Sequence, residues 1–464
     1  MPAASDSLQS RIDDRSITVA VIGLGYVGLP LAAAFARAGI NTIGYDTDPA
    51  KIEALQAGRD YLTHLGSTFA ADLLATGRFT PTADIADLDG STEDPSRRGG
   101  ADAILICVPT PLHADRTPDL SAVENTAKSL AAALTTPHAT PHTSPHAPPR
   151  ERLVSLESTV YPGVTRNTLA PILKPIPGAT YVAYSPEREN PAPAGSDAPQ
   201  TTAIPKLVAG LTPEATDLAR AVYGLAFKTL VPCASPEIAE SAKLLENVYR
   251  AVNIALVNEF KMTLIDLGID PHAVIEAAAT KPFGFARFDP GPGLGGHCIP
   301  IDPYYLAHVA KDTPHPARFV ELAGQTNHDM PAYVVQRTEG ALAARNTPLS
   351  SARVLVLGLA YKKNIDDVRE SPAFVIIEKL RAAGAQVSYH DPHVPRTHPM
   401  RHYDIDMESV GLTREAVEST DAVIIVTDHD AIDYQLLADH AGLIIDTRNA
   451  MSRIASPKAA IVKA

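Results

Sequence analysis

Residues 17–23 (ITVAVIG) form a short, β-branched apolar run that leads into a glycine turn and then into LPLAAAFARAG, a stretch of helical composition closed by Gly39. A strand, a tight turn and a helix in that order commit the chain to parallel α/β units, because parallel strands need a crossover to lie side by side. Residues 41–45 (NTIGY), 101–108 (ADAILICV) and 153–156 (LVSL) read as further strands, which predicts a parallel sheet covered on both faces. From Pro236 the pattern changes to EIAESAKLLENVYRAVNIALVNEFKMTLIDLG, with apolar residues recurring at three and four up to Gly268. A helix of that length joins domains or builds a subunit interface, and here it is expected to do both. Strand patterns return at 353–358 (RVLVLG), 386–390, 422–427 and 443–446, and VLVLGLAYK echoes the earlier VAVIGLGYV. The expected fold class is α/β, with two Rossmann-like doubly wound domains joined by a central helical domain. Their expected bounds are 1–234, 235–345 and 346–464.

Length agrees with several cores, since 464 residues is about three times the ~150 usual for one domain. A formal net charge of −13 argues against a nucleic-acid surface, so an anionic ligand needs a local basic pocket. Cys107, Cys233 and Cys298 stand far apart without a CxxC pair, which indicates neither disulfides nor a thiolate metal site. Residues 1–15 lack the basic start and apolar run of a signal peptide, and no stretch approaches the ~18 apolar residues of a membrane span. The expected location is cytoplasmic. Residues 135–150 (TTPHATPHTSPHAPPR) read as an exposed loop: His138, His142 and His146 would share a metal-binding helix face, but the prolines remove the helix, and no metal is expected.

Gly23, Gly25 and Gly28, with Tyr26 and Val27 between them, form GLGYVG at the first strand-to-helix junction. The first glycine allows the turn, the second lets backbone approach a pyrophosphate, and the third lets helix pack on strand. Asp46 ends the next strand 18 residues beyond Gly28, where an acid binds the adenosine ribose. An acid there repels a 2′-phosphate, so the expected cofactor is NAD. The later repeat keeps Gly358 but has Ala360 and Lys362 in place of further glycines, which removes a second dinucleotide site. Lys362, Lys363 and Arg369 are placed instead to hold phosphates, or form a solvated charge run. In residues 290–305 (PGPGLGGHCIPIDPYY), four glycines and four prolines surround Cys298, with Asp302 four residues on. Such a segment is a shaped loop, and a thiol displayed on it is a candidate nucleophile.

GLGYVGLP, CVPTPL (107–112), ESTVYPG (157–163), SPER (185–188), AKLLENVYRAVNIALVNE, GGHCIPIDPYYL and GLAYKKNIDDVRESPA stand in the order and approximate spacing of one family. Through them the chain resembles the UDP-glucose/GDP-mannose 6-dehydrogenases over nearly its whole length. The resemblance implies an NAD-binding N-terminal domain, a helical dimerisation domain and a C-terminal nucleotide-sugar domain. It implies two oxidations of a substrate CH2OH, with Cys298 trapping the aldehyde and a thioester hydrolysed at the end. It matches Lys243 and Asn247, at i and i+4 on one helix face, to the amine and amide that polarise the reacting oxygen. Asp302 matches the carboxylate near the thiol, and Thr159 and Glu187 match residues that position water and accept protons. Pro109 and Thr110 fall to the cofactor, and Arg188, Arg287, Gly295, Lys362 and Arg369 to the UDP-sugar, with Arg287 open between substrate phosphate and a neighbouring subunit. One departure concerns the hydrolytic base: Pro191 stands where many UDP-glucose enzymes carry a second acid, with Glu189 close by.

GGHCIPIDP and SPER resemble members acting on UDP-N-acetylhexosamines, whereas UDP-glucose enzymes more often show GGSC or GGYC followed by Lys-Asp, and SPEF. N-acetylglucosamine and N-acetylmannosamine both stay open, and a dimer is the expected minimum assembly. Two other readings remain. A Rossmann fold alone also serves a catalytically idle NAD-binding protein, and a 3-hydroxyacid dehydrogenase uses a Lys/Asn helix without a thiol. The combination of Lys243, Asn247, Cys298 and Asp302 weighs against both.

Overall fold

The computed structural model describes residues 7–89, 100–135, 150–188, 201–296, 299–397, 403 and 405–464. The expected loop at 135–150, with its three histidines, falls outside them apart from its two end residues, as do Cys298, Glu189 and Pro191. The chain divides into two compact units, 1–245 and 246–464, and the division cuts the long helix Pro236–Asp266.

The first unit is built on eight strands: β1 (Thr18–Ile22), β2 (Asn41–Tyr45), β3 (Phe79–Thr82), β4 (Ala103–Ile106), β5 (Arg152–Leu156), β6 (Thr180–Tyr184), β7 (Lys206–Gly210) and β8 (Leu230–Pro232). Their spatial order is β3-β2-β1-β4-β5-β6-β7-β8, the Rossmann order extended at one edge. The order reverses at β1, which pairs in parallel with β2 on one side and β4 on the other. The glycine turn that follows β1 therefore sits at the switch point, where open α/β sheets bind ligands. The central strands β4 (AILI) and β5 (RLVSL) are buried throughout, β4 as an unbroken apolar run and β5 with Arg152 and Ser155 buried among its apolar residues. Val19, Val21, Leu31, Phe35, Tyr223 and Phe227 share one core between sheet and helices.

The sheet is not wholly parallel. Strand β7 runs antiparallel to β6, while β8 returns parallel to β7. The described connection from β6 to β7 holds only a short turn at Thr201–Ala203, whereas the helix Pro213–Tyr223 links β7 to β8 and supplies the crossover.

The second unit carries β9 (Arg353–Leu357), β10 (Gln386–His390), β11 (Ala422–Ile425), β12 (Leu443–Asp446) and β13 (Ala460–Lys463) in the order β10-β9-β11-β12-β13, all parallel. Alternate residues of β9 serve two separate cores: Val354 and Val356 pack with Ile376 and Leu380, and Leu355 and Leu357 with Leu437. Both faces are thus covered, as a parallel sheet needs. Before this sheet come the second part of the long helix, the helices Pro271–Ala279, Asp302–Ala310 and Arg318–Ala343, and the glycine-rich loop that precedes Asp302. Among the described residues no helix is long and apolar enough to cross a membrane.

Candidate active site

The turn after β1 is shaped by contacts that no side chain could share. Gly23 has φ +91°, and a Cβ on Gly28 would lie 1.8 Å from the Gly23 carbonyl oxygen. At Gly25 a Cβ would meet nothing within 4 Å, which leaves the open approach a pyrophosphate needs. Val27 leads into the helix Gly28–Arg37 without a side-chain cap, so no capping side chain competes with an anion there, although the Leu29 amide already bonds the Gly25 carbonyl at 3.1 Å. Tyr26 stacks on His64 with centroids 4.9 Å apart. Asp46 is buried at the end of β2, accepts hydrogen bonds from the amides of Leu24 (2.8 Å) and Asp48 (2.9 Å), and pairs with Lys51 at 2.9 Å. These residues fit a dinucleotide whose ribose hydroxyls meet a carboxylate. Thr110 is buried and Pro109 exposed in the loop after β4.

Thr159 stands half-buried in the loop after β5. Glu240, fully buried in the long helix, accepts from the Gly163 amide (2.6 Å), the Thr165 amide (3.0 Å) and the Thr165 hydroxyl (2.7 Å). It fastens the ESTVYPG loop to the helix turn that carries Lys243, itself buried. Within this unit Lys243 has no ion pair among the described residues, which leaves its amine available to an oxyanion. Beneath Glu187 lies a network that sequence reasoning missed. The Lys206 amine donates to Glu157 at 2.7 Å and stands 4.0 Å from Glu187, and the Tyr223 hydroxyl donates to Glu157. Burial works to lower the Lys206 amine, but Glu157 and Glu187 outweigh it and hold the amine above its usual range. Glu187 also accepts from the Arg188 amide at 2.6 Å, and the Arg188 guanidinium is turned to the Pro205 carbonyl at 2.7 Å.

In the second unit the structure brings Asn247 and Asp302 together: the Asn247 amide donates to the fully buried Asp302 carboxylate at 2.5 Å. That bond fixes which end of the amide is donor and holds it in one orientation. The glycine loop leans on the segment expected to hold phosphates. The Gly296 amide donates to the Arg369 carbonyl at 2.9 Å, and a Cβ on Gly295 would come within 2.4 Å of Tyr361 Cβ. The basic residues of that segment are engaged already. Arg369 makes a bidentate pair with Asp367 (2.6 and 2.9 Å), Lys363 pairs with Asp430 at 2.6 Å, and burial, then Arg250, pushes the Lys362 amine down. Arg287 is exposed and paired with Asp289 at 2.9 Å.

Asp391 ends β10 as Asp46 ends β2, but it is consumed internally. It accepts from the amides of Leu359 (2.6 Å) and Ala360 (3.1 Å) and bonds the buried His429 ring at 3.1 Å. Burial works to raise its carboxyl, and the His429 bond and backbone amides outweigh it, pulling it down to about 2. Both acids accept from the backbone of their own turn, and what sets Asp391 apart is the buried His429 ring bonded to it. Arg448, just beyond β12, was also missed: its guanidinium donates to the Val426 carbonyl at 2.8 Å and packs where a Gly291 Cβ would stand, 2.5 Å from Nη1. The only sequence signal for it was a strand end.

Residues 17–226 match the NAD binding domain of the UDP-glucose/GDP-mannose dehydrogenase family, residues 237–329 its central domain, and residues 355–453 its UDP binding domain. A UDP-N-acetyl-D-glucosamine 6-dehydrogenase of Pseudomonas aeruginosa is 33% identical over 397 residues, 84% of this chain and 86% of that one. A UDP-N-acetyl-D-mannosamine dehydrogenase of Pyrococcus horikoshii is 33% identical over 442 residues, 93% of this chain and 95% of that one. Among solved structures, the UDP-D-ManNAc dehydrogenase of Pyrococcus horikoshii superposes with a TM-score of 0.79 at 30% identity, covering 96% of this chain and 99% of its own. A UDP-glucose dehydrogenase of Pyrobaculum islandicum does so with 0.78 at 27%, covering 97% and 96%.

Proposed function

This chain belongs to the UDP-glucose/GDP-mannose dehydrogenase family, and from that premise we propose that it oxidises the C6 alcohol of a UDP-N-acetylhexosamine to a carboxylate. NAD, when bound along Gly23–Gly28 and Asp46, supplies the hydride acceptor. The chain's own residues do the rest. Lys243 and the oriented Asn247 amide stabilise negative charge on the reacting oxygen. Cys298 adds to the aldehyde and so retains it, and the resulting tetrahedral oxyanion can expel the second hydride, which a free aldehyde cannot do. Thr159 and Glu187 position and deprotonate the water that opens the thioester. The observation that carries this reading is the Asn247–Asp302 hydrogen bond, a donor locked in place beside the loop that leads to Cys298.

The N-acetyl preference is supported by GGHCIPIDP and SPER and by the names of the relatives. A site that buries an acetamide and satisfies its hydrogen bonds leaves unpaired groups when UDP-glucose binds. The kcat/KM for UDP-N-acetylglucosamine or UDP-N-acetylmannosamine is therefore expected to exceed that for UDP-glucose by at least about tenfold, the factor ~1.4 kcal/mol supplies. Equal or better turnover of UDP-glucose in a panel of the three sugars moves the chain to the runner-up activity, and no NADH with any UDP-sugar leaves an idle NAD-binding protein.

The reading includes a homodimer. Ile238, Tyr249 and Phe260 recur at eleven residues along the long helix, as do Leu245 and Leu256, and all are about half-exposed or more. Eleven residues make three turns of a straight helix, so these side chains share one apolar face that water is a poor partner for. Sedimentation of the chain as a monomer at micromolar concentration contradicts this. The thiol forms of Cys107 and Cys233 fit the proposed reducing, cytoplasmic setting.

A further inference from the structure

The buried stripe of the long helix runs through Leu244, Val248, Ala251 and Ala255, and continues not with apolar residues but with Asn258 and Lys261, 0% and 1% exposed. Both hold Gly291, at the start of the glycine loop. The Gly291 amide donates to Asn258 Oδ1 at 2.9 Å, and the Lys261 amine donates to the Gly291 carbonyl at 3.3 Å. Asn258 is itself fixed by Asn327, which accepts from it at 3.4 Å and donates to the Ala251 carbonyl at 2.9 Å. The Arg448 guanidinium closes the other side of Gly291. The Lys261 amine lies 5.5 Å from the Tyr333 ring centre, and among the described residues no carboxylate pairs with it. Burial, then Arg448 and Arg337, push it down to about 7.

A buried amine without a counter-ion is costly to keep, and an apolar side chain of the same length fits the stripe better. We propose that Lys261, with Asn258, is a positioning residue that fixes the Gly291 end of the loop and thereby sets the reactivity of Cys298, at a cost in stability. The inference rests on the reading of Cys298 as the nucleophile. A displaced loop root moves the thiol relative to its partners, and small misplacements of reacting groups lose large factors in rate.

The test is Lys261→Met in the full-length enzyme. Alkylation of Cys298 by iodoacetamide, followed at that cysteine by mass spectrometry, and kcat for NADH formation are each expected to fall by at least about tenfold, with the Kd for NAD unchanged. The melting temperature at pH 7 is expected to rise. Because the folded amine titrates near 7 and the unfolded one near 10.5, the unfolded state binds more protons between those values, so wild-type stability climbs with pH across that window. The advantage of Lys261→Met is then largest near pH 7 and shrinks toward 10.5. Asn258→Leu is expected to show the same kinetic loss, whereas Asn258→Asp keeps an acceptor for the Gly291 amide and retains Cys298 reactivity. Wild-type alkylation and kcat in Lys261→Met and Asn258→Leu, or a lower melting temperature of Lys261→Met at pH 7, overturns the proposal. Acid formation that survives Cys298→Ala sinks the nucleophile reading instead, so the two failures are separable.

Discussion

Replacing Cys298 by Ala is expected to lower acid formation by on the order of 10³-fold or more, the scale of loss when a covalent nucleophile is removed. Hydride leaves carbon readily only when an adjacent oxyanion pushes it out, and the aldehyde formed by the first oxidation carries none. The sulfur adduct restores that oxyanion and holds the intermediate in place through the second oxidation. Cys298→Ser can form the analogous adduct, but an oxygen ester hydrolyses less readily than a thioester, so this variant is expected to stall before releasing acid. NAD binding, measured by fluorescence titration, is expected to be unchanged in both. Undiminished carboxylate from Cys298→Ala, quantified by mass spectrometry, sinks the thioester route.

The second large effect is expected at Lys243. Both oxidations pass through an oxyanion, so a cation poised in a buried setting acts twice. Lys243 is 7% exposed, and in such a place a charge is screened little by water. Removing one preorganised donor of this kind costs about 10²–10³ in kcat. Lys243→Met is expected to lose that much while KM for the UDP-sugar moves little, because the interaction is strongest with the charge that develops during reaction. A Lys243→Met enzyme with near wild-type kcat assigns the role elsewhere. Asn247 is expected to contribute less, since its amide is neutral and shared with Asp302.

Much of the scaffold was legible because parallel strands buried on both faces read as apolar runs, and β1, β4, β9, β11 and β12 have that character, whereas β2 (NTIGY), β5 (RLVSL) and β10 (QVSYH) are apolar clusters broken by polar residues. Strand β3 (FTPT) escaped because it is short and holds Pro81, and β8 because its side chains are largely exposed. The reversal at β7 was invisible because a strand's direction is set by its connection rather than by its own residues. The glycine turn and Asp46 were legible from spacing, which the local strand-turn-helix geometry preserves. The Glu157–Lys206–Tyr223 network was not: its members lie far apart in sequence and meet only when β5 and β7 are placed on either side of β6. Asp391 follows β10 as Asp46 follows β2, and only the structure reveals that it is closed off by Leu359, Ala360 and His429. Asn258 and Lys261 did leave a signal, two polar residues where the helical period calls for apolar ones, and that reading was available from the sequence alone.

The central claim is that one site carries out both oxidations without releasing the aldehyde. The most direct measurement counts NADH against UDP-N-acetylhexosamine consumed, with semicarbazide present to trap any free aldehyde. The account predicts two NADH and one carboxylate per sugar, with no semicarbazone. One NADH per sugar with accumulating trapped aldehyde contradicts it.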